Sequence, residues 1–247
     1  MKAISFLFGI LFFLPTTVFT QKHSVYFGTG YTIPTTTSVI GSFHTETSTE
    51  QNLSTFSKGM VYQGGLQFSV TNNFLLELNV NYLPGFENEK FYTEWDGGYL
   101  SYTNSNLSII PAINIKFDVG NFAPYTKFGV SINFINLKLN SESGNIYSNT
   151  KYEYKYSDNY SIGFVGGIGI NFSLWQSFII FAQAQINSLT YYPDKLEITE
   201  NFGGTKVTTT YELKDKIEYN TSNENVRLKQ EFPFSSIAII AGIRYVL

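Results

Sequence analysis

The chain has 247 residues, enough for one large β domain, and only 14% of them are charged while 17% are aromatic. A net charge of −3 supplies no broad basic field, which excludes nucleic acid as a partner. The absence of cysteine removes disulfides, thiolate metal sites, a cysteine nucleophile and a lipidated N-terminal cysteine.

The N-terminus reads MKAISFLFGILFFLPTTVFTQ, with one cation, Lys2, ahead of an apolar run from Ala3 to Leu14. That run is shorter than the ~20 residues of a membrane helix and has the layout of a secretory signal. Residues 1–20 are therefore expected to be an export signal cleaved after Thr20, leaving 21–247 as a single domain.

Period-two alternation then recurs along the chain, the signature of half-buried strands. Two weaker segments lie at 25–33 and 60–70. FLLELNVNY sets Phe74, Leu76, Leu78, Val80 and Tyr82 against Leu75, Glu77, Asn79 and Asn81. LSIIPAINIKF sets Leu107, Ile109, Ile113, Ile115 and Phe117 against Ser108, Ile110, Ala112, Asn114 and Lys116. KFGVSINF sets Phe128, Val130, Ile132 and Phe134 against Lys127, Gly129, Ser131 and Asn133. YSIGFVGGIGINFSL opposes Ile162, Phe164, Ile168, Ile170 and Phe172 to Gly163, Gly167, Gly169 and Asn171. FIIFAQAQIN opposes Phe178, Ile180, Ala182, Ala184 and Ile186 to Phe181, Gln183, Gln185 and Asn187. The chain closes on SSIAIIAGIRYVL, where Ile237, Ile239, Ala241, Ile243, Tyr245 and Leu247 share one face and Arg244 stands on the other.

These eight segments are separated alternately by long links, near 34–57, 84–105, 138–159 and 191–234, and short ones at 71–73, 120–123 and 175–177. Asn72-Asn73 and Gly120-Asn121 supply the chemistry of tight hairpins. The rhythm predicts an all-β, eight-stranded antiparallel up-and-down barrel with every long loop at one end and both termini at the other.

The composition of the polar face decides which side is inside. A soluble barrel would carry Lys and Glu there, facing water. Here the face is mostly Gly, Ser, Asn and Gln, with Glu77, Lys116, Asp118, Lys127 and Arg244 as its few charges. Small residues fill the narrow interior of eight strands, so the apolar face must point outward into lipid. Aromatics near strand ends, such as Phe74, Tyr82, Phe117, Phe172 and Tyr245, fit interfacial girdles.

With the signal, the eight strands and the loop rhythm, the terminal GIRYVL resembles bacterial outer-membrane β-barrel proteins, in particular the small OmpX/OmpA-like barrels and the PorT-like group of Bacteroidota. Gly242, Tyr245 and Leu247 match the last-strand pattern that the barrel-assembly machinery of that family reads. Ile240 stands where the family usually has a polar residue, and Leu247 where it usually ends in Phe. The resemblance implies the outer membrane as location, its lipid and the assembly machinery as partners, and a monomer.

Glu77, Lys116, Lys127 and Arg244 stand at similar distances from the short turns or the terminus, so all four are expected at one depth inside the lumen. Buried charges must be paired, and the expected arrangement has Glu77 at the centre with Arg244 facing it, as a plug or as a gate for small ions. Catalysis finds no support. Ser42, His44 and Glu46 would share a strand face, but neighbours two apart lie ~7 Å from each other, beyond the ~2.6–3.2 Å contacts of a triad. No metal or cofactor motif is present.

The long loops are expected to present an interaction surface. Residues 195–214 alternate around Phe202-Gly203-Gly204 and read as a projecting hairpin, polar on both faces; a ten-stranded barrel with this hairpin in the wall is the alternative, against which its polar faces argue. Tyr152, Tyr154 and Tyr156 alternate with Glu153 and Lys155, as rigid anchors for an extracellular partner would. The functional expectation is a structural or interactive outer-membrane barrel with a packed lumen. A narrow channel for small ions or solutes is the alternative, and a lipid-modifying enzyme a remoter one.

Overall fold

In the computed structural model, the described residues are 23–44, 49–93, 98–145, 148–157, 159–217 and 225–247. The expected signal sequence lies outside them, as does Glu46 of the Ser42-His44-Glu46 grouping. In chain order the strands are β1 His23–Pro34, β2 Ser38–His44, β3 Thr49–Ser54, β4 Gly59–Ser69, β5 Phe74–Thr93, β6 Gly98–Lys116, β7 Phe122–Asn145 and β8 Ser148–Ser157. They continue with β9 Tyr160–Ser173, β10 Phe178–Ser188, β11 Thr190–Tyr191, β12 Lys195–Phe202, β13 Thr205–Lys214, β14 Val226–Leu228, β15 Phe232–Pro233 and β16 Ser236–Val246.

Eight of them, β1, β4, β5, β6, β7, β9, β10 and β16, form a closed antiparallel barrel. The first and last strands seal it, in register from Ser24↔Val246 to Pro34↔Ser236. All eight segments that alternate in the sequence lie on these eight strands. Closure leaves no exposed edge in the wall, so each wall strand is paired on both sides. The short links turn tightly: Thr71 Oγ1 accepts from the amides of Asn73 and Phe74, and Gly120 takes a left-handed φ of 63°.

The barrel is inverted in polarity. Phe27, Leu78, Val80, Phe128, Phe164, Ile168, Ile239 and Ile243 are exposed on its outer surface, while Gln63, Asn79, Asn114, Ser131 and Asn133 are buried inside. Pairing restricted to one register keeps these sets apart, because a one-residue slip would exchange them.

The regions read as long loops are largely strand. β5 and β6 stay paired up to Thr93↔Gly98. β7 leaves β9 at Phe134↔Tyr160 and continues against β8 from Leu137↔Tyr156. β12 adds to β8, β13 to β12, and β14 runs parallel to β13, so a second sheet grows from the barrel wall above its mouth. The 195–214 hairpin thus docks by its edge on β8 and stays out of the closed wall. Its expected polarity on both faces is corrected: Leu196 and Leu213 are buried, and Ile198 packs beside them.

Candidate functional site

Glu77 sits on the inner face of β5, 5% exposed, at the centre of a polar knot. Its Oε1 accepts the hydroxyl of Tyr26 at 2.6 Å and stands 2.5 Å from Lys127 Nζ, and Asn79 Nδ2 reaches it at 3.4 Å. Its Oε2 accepts from Gln67 Nε2 and Asn114 Nδ2, each at 2.6 Å. These contacts use the acceptor capacity of an ionised carboxylate.

That saturation explains why the expected Glu77–Arg244 pairing is absent. Lys127 is the cation on Glu77, and Arg244 lies to one side. Its Nη1 donates to Asn171 Oδ1 at 2.9 Å. Its guanidinium faces the rings of Tyr26 at 5.5 Å, Phe181 at 5.5 Å and Tyr125 at 5.9 Å. Lys116 is also corrected: as the last residue of β6 it sits at the short-turn end of the barrel and pairs with Asp118 at 3.1 Å, partly exposed. Depth along the strands therefore separates Lys116 from Glu77 and Lys127.

Glycine makes room for the rings of this layer. A Cβ on Gly65 would stand 2.6 Å from the Tyr26 hydroxyl, and one on Gly169 would collide with Tyr125 Cζ. Tyr125 in turn donates to Gln183 Oε1 at 2.9 Å, and Gln183 Nε2 donates to Gln63 Oε1 at 2.7 Å. Gly169→Val is expected to displace Tyr125 and destabilise the barrel by about 1–3 kcal/mol. A urea midpoint equal to that of the wild type would refute this.

Above this layer, Asn133 accepts from Ser108 Oγ at 2.6 Å and Asn106 Nδ2 at 3.2 Å, while its own amide donates to Ser131 Oγ at 2.9 Å. The mouth beyond it is closed by an apolar cap. Phe56, fully buried, packs edge-on to Tyr102 at 5.2 Å and Phe232 at 5.5 Å and stacks on Phe234 at 5.6 Å. Its segment is pinned from the wall, where Tyr102 donates to Thr55 O at 2.6 Å and Asn104 Nδ2 to Phe56 O. Leu137, Tyr191, Leu196 and Leu213 complete the same core. Alternation in β6 gave no warning of this cap, because Phe56 lies outside any periodic segment and Phe232 and Phe234 sit in a short irregular stretch.

The three tyrosines of β8 do not form a free rim. Tyr156 is buried in the cap core, edge-on to Phe232 at 4.8 Å, and donates to Gln230 Oε1 at 2.8 Å. Burial, reinforced by Tyr154, pushes its phenol up to about 12, so it remains a neutral donor at physiological pH. Tyr154 packs half-buried against the cap, and Tyr152 donates to Glu200 at 3.2 Å. The register puts Tyr152, Tyr154, Ile198 and Tyr211 on the cap side of the upper sheet, with Arg227 over the Tyr211 ring at 4.2 Å. The opposite side carries the ion pairs Lys151–Glu142, Lys138–Glu153 and Lys155–Glu197.

At the C-terminus, Gly242 lies against Gly28, where a Cβ would collide with Phe27 O, so only glycine allows this approach of β16 to β1. Tyr245 points outward and meets Phe178 edge-on at 5.1 Å, and Leu247 is exposed. Ile240, the departure from the polar pattern, is fully buried beside Tyr26 and Phe181.

No family model and no curated protein sequence matches the chain. Among solved structures, a major outer membrane protein from Thermus thermophilus is 12% identical, with 92% of this chain and 99% of that one covered at a TM-score of 0.54. Neisserial surface protein A (NspA) is 12% identical, with 90% and 96% covered and a TM-score of 0.38. The attachment invasion locus protein Ail of Yersinia pestis is 8% identical, with 92% and 97% covered and a TM-score of 0.37. By its closed wall and inverted polarity, the chain has the fold of an outer-membrane β-barrel.

Proposed function

We propose that this chain is a non-catalytic outer-membrane barrel that holds a closed lumen and presents its upper sheet at the cell surface as an interaction platform. The observation that carries the reading is the outward apolar belt around an interior closed twice, by the Glu77 knot and by the Phe56 cap. An apolar belt of this extent is stable only against lipid. Long loops at one end and short turns at the other orient the barrel with its cap outside the cell. The half-buried ledge of Tyr152, Tyr154 and Tyr211, with Arg227, has the composition of an interface centre, rich in aromatics and arginine.

Planar-bilayer recordings test the closed lumen. Purified protein inserted at known density is expected to give no discrete openings in symmetric salt, whereas steady single-channel steps in the wild type would replace this reading with the narrow-channel one. A protein recovered from the soluble periplasm, with no shift in gel mobility on boiling, would remove the membrane assignment.

A further inference from the structure

The lumen carries an unbalanced charge. Among the described residues, the buried charged side chains are Glu77, Lys127 and Arg244, one anion against two cations. Lys127 takes the anion, and Glu77 has no remaining acceptor site to offer. Asp118, which lies at the rim of the short-turn end, is held by Lys116. Arg244 is only 6% exposed, yet no carboxylate of the described residues pairs with it, and its Nε has no hydrogen-bond partner. One amide oxygen, the Tyr125 hydroxyl and three ring faces offset the cation but do not neutralise it. A buried cation in that condition is costly.

Arg244 also borders open space. Below the Glu77 knot, the end of the barrel with the short turns holds a cavity of about 560 Å³. Ser24, Asn171, Ser173, Gln176 and Lys116 line it together with Arg244. The cavity opens to the aqueous side through the turns. Lys116 and Asp118 at its rim neutralise each other, so the hydroxyls and amides on its wall and the guanidinium inside it are the donor set left for an oxyanion.

We propose that this vestibule is a binding site for a small soluble oxyanion, a carboxylate or a phosphate, with Arg244 as its principal contact. The bound anion restores charge balance to the lumen, and the Glu77 knot above prevents it from crossing. The site faces the opposite end from the upper sheet, so it stands independently of any partner bound there.

The test is thermal unfolding of the refolded full chain in phosphatidylcholine vesicles, titrated with inorganic phosphate or acetate and, at matched ionic strength, with chloride. Phosphate is expected to raise the midpoint saturably, by about 4–7 °C at twenty times its half-saturating concentration. Chloride should give a much smaller shift. In Arg244→Gln the phosphate shift should vanish. Asn171→Asp places a carboxylate against the guanidinium, so it should raise the midpoint without phosphate and weaken phosphate binding at least about tenfold. That variant decides the matter even if Arg244→Gln fails to fold, as judged by gel mobility with and without boiling. Replacing part of the lipid with phosphatidylglycerol should leave half-saturation unchanged, and competition from it would overturn the soluble source. Equal shifts with chloride, no shift in the wild type, or undiminished phosphate binding in Asn171→Asp would each overturn the site.

Discussion

Glu77→Ala is expected to lower barrel stability by about 3–5 kcal/mol, the cost of leaving a buried partner charge uncompensated. Lys127 Nζ, at 1% side-chain exposure, has Glu77 as its ion-pair partner. The same truncation leaves the Tyr26 hydroxyl and the amides of Gln67 and Asn114 without their acceptor. The measurement is the urea midpoint and slope of the vesicle-inserted protein. The double variant Glu77→Leu/Lys127→Met separates ion-pair loss from simple loss of packing. Removing both charges should recover much of the deficit, because an apolar pair of similar volume often replaces a buried ion pair at little cost. A wild-type midpoint for Glu77→Ala, or a double variant as unstable as the single, would refute the role assigned to the pair.

Phe56→Ala is expected to cost about 3–5 kcal/mol of cap stability, the range for truncating a fully buried phenylalanine. The loss should be local. Phe56 touches Tyr102, Phe232 and Phe234 above the polar layers, while the ladder that closes the barrel runs through β1 and β16 below. Amide exchange in β12 and β13 should therefore quicken, and protease should enter around residue 56, with the barrel's mobility on unboiled gels unchanged. The bilayer should remain silent, since the Glu77 knot still closes the lumen beneath. Unaltered exchange in β12–β13 would show that Phe56 does not hold the upper sheet, and channel steps in this variant alone would show that the knot does not seal.

Much of this architecture was legible in the chain. Alternation at Phe128, Val130, Ile132 and Phe134 against Gly129, Ser131 and Asn133 located a strand and also told which side faces outward, because side chains repeat every two residues. Glu77 was recognisable as a lumen charge for the same reason. Its partner was not. Whether Lys127, Arg244 or Lys116 reaches it depends on the stagger between strands that are far apart in sequence, and on competition for a carboxylate with room for few donors. The tyrosines of β8 misled in a related way. Their spacing fixed a shared face, but only the docking of β12 on β8 and the segment 232–234 above them decided that Tyr156 would be buried.

The sequence by itself determined the eight strands of the barrel wall, the inverted polarity, the hairpin ends and the closing role of the last strand, since each follows from local periodicity and turn chemistry. Only the tertiary structure decided what closes the lumen and what Arg244 faces. The cap joins Phe56, Tyr156, Leu213 and Phe234 from four separate segments, and no local pattern encodes their meeting. Arg244 stands over aromatic rings at the head of a polar vestibule because Lys127, two strands along the wall from Glu77, occupies the carboxylate that Arg244 would otherwise face.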